Sequence, residues 1–148
     1  ELNLINPEHA QRAKMLHNNS HKFESTFLSL QIPENNSVMF SSLSGSKLGI
    51  WVAHGEGKFS LPEAESQYNV VAKYNYAQYP GNPNGSDYNV AGICSNDGRH
   101  LAMMPHLERA IFPWQNAWYP ADHRTDEVTP WIEAFVNARK WVEAKLGK

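Results

Sequence analysis

Three observations predict a single domain of mixed structure, α/β or α+β. Strand-like and helix-like hydrophobic periods alternate along the chain. With 148 residues, 41% of them hydrophobic, the chain can bury one sizeable core. No repeat, low-complexity tract or linker-like segment divides it.

In chain order, "NPEHAQRAKML" reads as a short helix, with Asn6 as N-cap and Pro7 at the first helical position. "HKFESTFLSLQI" alternates and puts Leu28, Leu30 and Ile32 on one face of a strand. "NNSVMFSSLSG" reads as a short helix stopped by Gly45. "KLGIWVAH" has the length and apolarity of a buried strand and runs into the glycine-rich "HGEG". "YNVVAKYNY" and "DYNVAGICS" are further strands, separated by the loop "YPGNPNGSD". "SNDG" is a hairpin turn into "RHLAMM". The chain closes on a helix with Thr129 as N-cap, Pro130 first and Gly147 past the end. Trp131, Phe135, Ala138, Val142 and Leu146 recur on one face of it.

Thirteen basic and fifteen acidic residues give a net charge of −2 with no basic block. Nucleic acid and an anionic membrane surface are therefore not expected partners. No apolar run approaches the roughly 18–20 residues that span a bilayer. "ELNLIN" lacks the order of a signal peptide. A single cysteine excludes an internal disulfide framework and fits a reducing, cytoplasmic setting.

That cysteine, Cys94, lies within the apolar "VAGICS" and reads as buried and structural rather than reactive. His17 and His21 have the spacing of a helical zinc pair, but the intervening "NNS" disfavours a helix and no Cys set or H-E-x-x-H accompanies them. No metal site is expected. His9, His100 and His123 read as surface or loop histidines. The tryptophans, among them Trp114, Trp118, Trp131 and Trp141, gather near the C-terminal helix and read as packing residues rather than a base-stacking platform.

Two stretches carry chemistry. In "AHGEG", Ala53 to Gly57, a strand runs into a turn whose glycines let a ligand approach the backbone. In "MMPHLER", His106 and Glu108 are two apart, so in an extended chain they share a side. Glu108 can then accept a hydrogen bond from one imidazole nitrogen while the other faces a nucleophile. An exposed His–Glu pair at a strand end would have the same spacing.

The order "AHGEG", "YPGNPNGS", "VAGICSNDGRHLAMMPHLERA", "FVNARK" resembles the C-terminal class I glutamine amidotransferase domain of the phosphoribosylformylglycinamidine synthases, in their large single-chain form. The resemblance runs from about Asn18 to about Arg139. It implies a flavodoxin-like, open, largely parallel sheet with flanking helices, lacking its N-terminal part, so that residues 1–148 are the C-terminal portion of one amidotransferase domain. It also implies a Cys–His–Glu triad, with His106 as base and later acid, and Glu108 orienting it. The family cysteine sits on a G-x-C-x-G-x-Q elbow that nothing in residues 1–17 matches. "ELNLIN" is similar to the end of the helix after that elbow, so the nucleophile is expected shortly before Glu1 and its role is not transferred to Cys94. Leu107 stands where the motif commonly has proline. Gly55 and Glu56 match the turn whose backbone holds the α-amino and carboxylate groups of glutamine.

The implied activity is release of ammonia from L-glutamine in purine biosynthesis. A synthetase domain of the same polypeptide would use it for ATP- and magnesium-dependent amination of formylglycinamide ribonucleotide. No cofactor is expected in this stretch, and "LSGSKLG" lacks Walker spacing. On its own the chain is expected to be inactive. Two alternatives remain: a catalytically dead amidotransferase-like interaction module, and a cysteine hydrolase using Cys94 with His106.

Overall fold

The structure, a computed structural model, describes residues 12–147. Strand β1 (Lys14–Leu16) pairs antiparallel with β4 (Lys58–Ser60). The main sheet contains β2 (Glu24–Gln31), β3 (Lys47–His54), β5 (Asn69–Tyr74), β6 (Val90–Cys94) and β7 (Leu101–Met103), in the order β3-β2-β5-β6-β7. Helix α1 (Ile132–Leu146) follows all of them.

Every strand pair among the described residues is antiparallel. This corrects the largely parallel sheet with flanking helices that the resemblance implied. The reason lies in the connections. Parallel neighbours need a crossover of a dozen or more residues, usually a helix, whereas these strands are joined by loops and 3₁₀ turns, and the α-helix comes last. The sheet is also less open than expected. Beyond β7, at one edge, the chain returns to β3 at the other, where His106 forms an isolated antiparallel bridge to Trp51. The sheet is therefore curled, and His106 sits at the seam.

The five strands of the main sheet fall where the sequence placed them. On β2 and its extension, Leu30 and Ile32 are fully buried and Leu28 packs on the same core. On β3 the core positions are Ile50 and Val52, with Ile50 directly across from Leu28. A register shift between Ala72 and Lys73 of β5 lets β6 feed both cores: Ala91 and Cys94 face the main one, Val90 and Ile93 the smaller one around Phe59 and Leu61.

Three helical readings change. Residues 6–11 of the expected first helix lie outside the described residues, and its last part, Lys14–Leu16, is strand β1, whose Met15 packs beside Phe59. "NNSVMFSSLSG" contains only a 3₁₀ turn, Ser41–Leu43, because burial of Phe40 and Leu43 in one short turn decides its shape. Gly45 ends it at φ +84° and donates to the Ile32 carbonyl. Helix α1 starts two residues later than expected: Trp131 holds the N-cap position without a side-chain cap, although the Thr129 hydroxyl accepts the Trp131 N–H at 3.3 Å, and Gly147 closes the helix in the left-handed region at φ +68°. Its apolar face is only partly used. Trp131 and Ala134 are buried, whereas Phe135, Val142 and Leu146 are exposed.

Candidate active site

His106 and Glu108 are paired, with imidazole Nδ1 2.8 Å from the carboxylate Oε1. An acceptor at Nδ1 favours the Nδ1–H tautomer and leaves Nε2 as the free lone pair. The pair forms by a route other than the expected extended strand. His106 is extended (φ −102°, ψ 100°), but Leu107–Arg109 is a 3₁₀ turn, and that turn brings the carboxylate back to the ring. Leu107 is its buried anchor, which shows what an apolar residue does between the two polar ones.

The turn is tied to the fold on three sides. The His106 N–H donates to the Trp51 carbonyl of β3 at 2.9 Å. The Trp51 indole N–H donates to the Gln115 carbonyl at 2.7 Å. The Thr129 hydroxyl donates to the Ala110 carbonyl at 2.6 Å. Burial opposes the charge on Glu108. Its own backbone hydrogen bond, the hydrogen bond and charge of His106 and the Arg109 guanidinium outweigh that effect, so its pKa lies below the usual carboxylate value.

Three residues beyond Trp51, β3 ends at His54 and the chain turns through Gly55–Gly57. Gly55 and Glu56 therefore follow directly on the strand that carries the His106 bridge. Neither donates a backbone hydrogen bond among the described residues. The Glu56 side chain faces outward, its carboxylate 3.5 Å from the exposed His17. Burial lowers the pKa of His54, with a further contribution from His106, so its ring is neutral at physiological pH. His54 Nε2 and the Oε1 of its cross-strand neighbour Glu24 are both buried without a hydrogen-bond partner among the described residues.

The polar residues that build this turn were not apparent beforehand. Asn18 and Asn84 are fully buried, although each sits in a segment that reads as a loop. Asparagine is the usual turn residue, so composition pointed to solvent. The only usable signal was the density of Asn, Ser and Gly in "NNS" and "NPNGS".

Cys94 is buried, and its thiol is 3.4 Å from the Asn36 side-chain oxygen. Burial, assisted by Asp97, pushes its pKa up to about 11. Its thiolate fraction near pH 7.5 is therefore about a hundredfold below that of an ordinary thiol. Alkylation of Cys94 by iodoacetamide should be at least that much slower than alkylation of a free thiol, and should accelerate with pH well beyond 9. A rate matching a free thiol at neutral pH would refute the assignment.

The aromatic residues are not all packing residues. Trp131 is buried, but Trp114 and Trp118 are 80% and 68% exposed, and Trp114 stacks on Phe112 with centroids 5.8 Å apart. They lie in a loop before helix α1 that contains only the short 3₁₀ turns Pro113–Gln115 and Ala121–His123. His21 is in the left-handed region (φ +55°), so the His17–His21 stretch is not helical. Among the described residues no three His, Cys, Asp or Glu side chains are arranged to hold a metal ion, and no helix is long and apolar enough to cross a membrane.

Curled sheet, tethered His–Glu pair and adjoining glycine turn together fit a glutamine amidotransferase domain. The chain belongs to the CobB/CobQ-like glutamine amidotransferase domain family, whose pattern matches residues 1–142. It is 45% identical over 137 residues to phosphoribosylformylglycinamidine synthase of Homo sapiens, covering 84% of this chain and 10% of that protein. It is 40% identical over 145 residues to the probable phosphoribosylformylglycinamidine synthase, chloroplastic/mitochondrial, of Arabidopsis thaliana, covering 88% of this chain and 10% of that one. The chain thus spans about a tenth of these relatives' length. The structure of PurLQS from Thermotoga maritima superposes with a TM-score of 0.66 at 25% identity, over 88% of this chain and 53% of the other. The α/β amidotransferase fold is shared with that structure.

Proposed function

We propose that this chain supplies the base, its orienting carboxylate and the glutamine-binding turn of the glutaminase part of a phosphoribosylformylglycinamidine synthase. The observation that carries the reading is the His106–Glu108 pair, hydrogen-bonded at 2.8 Å and pinned to the strand that ends in the Gly55–Glu56 turn.

In the parent enzyme a cysteine thiolate, its proton taken by His106 Nε2, attacks the carboxamide carbon of L-glutamine. The carbon–nitrogen bond breaks, and His106 returns the proton to the leaving ammonia. Water, deprotonated by the same imidazole, then cleaves the glutamyl thioester to glutamate and free thiol. Glu108 holds the ring and stabilises its charged form. The N–H groups of Gly55 and Glu56, unpaired among the described residues, are donors for the substrate carboxylate. Ammonia passes to a synthetase domain of the same polypeptide, which replaces a carbonyl oxygen of formylglycinamide ribonucleotide in an ATP- and magnesium-dependent step. The single-cysteine composition favours a reducing compartment, such as the cytoplasm.

The 148-residue chain should not hydrolyse glutamine by itself, since its one cysteine is Cys94, buried and high in pKa. The test is glutamate release by the chain and by the parent polypeptide, each with and without Cys94→Ser. A silent chain and an active parent indifferent to Cys94→Ser support the proposal. Hydrolysis by the chain that Cys94→Ser abolishes would make Cys94 the nucleophile. A parent unable to hydrolyse glutamine would indicate an amidotransferase-like interaction module instead.

A further inference from the structure

We infer that Asn18 and Asn84, neither of which reaches the His106–Glu108 pair, are positioning residues that clamp the Gly55–Gly57 turn and fix its glutamine-binding backbone. The inference rests on the proposed glutaminase reading and adds to it a role for the "NNS" and "NPNGS" segments.

The turn belongs to no helix or strand, so its shape must be imposed from outside. Asn18 does this from one side. Its amide group donates to the Lys22 and His54 carbonyls at 2.9 and 2.7 Å. Its oxygen accepts from His54 Nδ1 and from the Gly57 N–H, both at 3.2 Å. Its own backbone N–H donates to the Gly55 carbonyl at 2.9 Å. Asn84 works from the other side, donating to the Gly57 carbonyl at 2.6 Å and to the Tyr74 hydroxyl at 2.9 Å. Its oxygen accepts the Ser86 hydroxyl at 2.8 Å and the Ser86 N–H at 3.1 Å. The two motif asparagines thus satisfy both polar groups of Gly57, and each uses all of its own hydrogen-bonding capacity.

Such a network has one low-energy arrangement, because any shift strands a buried polar atom. Steric contacts close the remaining freedom. A Cβ on Gly57 would lie 2.5 Å from His54 Nδ1, and one on Gly85, at φ +74°, would collide with the Asn19 side chain. The Asn84 carbonyl in turn accepts the Asn19 N–H, which joins the two segments to each other. What stays unpaired among the described residues is the N–H of Gly55 and of Glu56, held in place to face a ligand. This is the arrangement expected of a preorganised substrate cradle supported from behind.

The experiment is steady-state kinetics of the full parent enzyme, with glutamine and, separately, with ammonium chloride as nitrogen donor. Asn18→Ala and Asn84→Ala should raise KM for glutamine about tenfold to a hundredfold, the scale of a misplacement of about 1 Å. Turnover at saturating glutamine should stay within about threefold, and the ammonium-dependent rate should not change. Ser86→Ala leaves both donors of Asn84 in place, while removing one hydrogen bond to its oxygen and the acceptor of the Phe59 N–H; its KM should rise by a smaller factor of about three, and far-ultraviolet circular dichroism of all three variants confirms that they fold. Unchanged KM in all three variants, or a fall in turnover with KM unchanged, would overturn the inference. His106→Ala, measured alongside, separates the two readings. If it leaves glutamine hydrolysis intact, the glutaminase reading itself fails; if it abolishes hydrolysis while the asparagine variants behave normally, only the clamp fails.

Discussion

Replacing His106 with alanine in the parent polypeptide should lower glutamine-dependent turnover by about a hundredfold to ten-thousandfold, the contribution of a positioned general base. The ammonium-dependent rate should be unaffected, because ammonia bypasses the thioester. The effect should fall on kcat and kcat/KM together, since the proton transfer is made only in the transition states. The substitution is also structurally mild. His106 is tethered through its backbone N–H to Trp51, which alanine retains, and its side chain is about one-third exposed. Glu108→Gln should reduce turnover as well, by removing the charge that favours the protonated ring. The Glu108 carboxyl lies below its ordinary pKa. The carboxylate is therefore fully charged above that ordinary value and is protonated only as pH falls through the depressed one. Protonation of Glu108 should thus not set the acid limb of a rate profile around neutrality. A profile whose acid limb disappears in Glu108→Gln would contradict this. Full glutamine-dependent activity in His106→Ala would remove His106 from the chemistry.

Trp131→Ala should destabilise the chain by about 3–5 kcal/mol, the usual cost of truncating a buried tryptophan. That is a large share of the 5–15 kcal/mol by which domains are ordinarily stable. Trp131 is 1% exposed, lies 5.9 Å from Phe40 centroid to centroid, and donates its indole N–H to the Gly49 carbonyl at 2.8 Å. It is also what holds helix α1 to the sheet. Farther along, the helix is attached mainly by Asn137, which donates to the Met39 carbonyl and the Ser42 hydroxyl. Phe135, Val142 and Leu146 bury little. Urea unfolding followed by far-ultraviolet circular dichroism should show a lowered midpoint. Trp131→Phe should recover most of the loss, apart from the roughly 1–3 kcal/mol for leaving the Gly49 carbonyl unpaired. Equal midpoints for Trp131→Ala and the parent chain would mean that the helix is held elsewhere.

Much of the fold was legible in the sequence because strand signals are local. The alternation around Leu28, Leu30 and Ile32, the run "KLGIWVAH" and the turn "SNDG" each depend on nearest neighbours, and each became the element expected. Gly147 likewise bounds its helix through contacts within a turn, whereas the start falls two residues beyond the expected Thr129–Pro130. The His–Glu pair was legible for a related reason: two side chains two residues apart are close in many backbone conformations. It formed through a 3₁₀ turn although an extended strand was expected.

What depended on distant partners was not legible. Asn18 and Asn84 look like loop residues until the fold brings Gly57 between them. Trp114 and Trp118 look like packing residues until the loop that carries them proves to leave both exposed.

By itself, then, the sequence determined the strands of the main sheet, the "SNDG" turn, the C-terminal helix and its Gly147 cap, the adjacency of His106 to Glu108 and the membership in a glutamine amidotransferase family. Only the tertiary structure decided the antiparallel ladders, the seam where His106 meets Trp51, the partial use of the helix's apolar face and the asparagine clamp. The division follows sequence separation. Periodicity and capping are settled by residues within about one turn or one pleat, whereas ladder direction and buried hydrogen bonds depend on which remote segments meet, and those are chosen by packing of the whole chain.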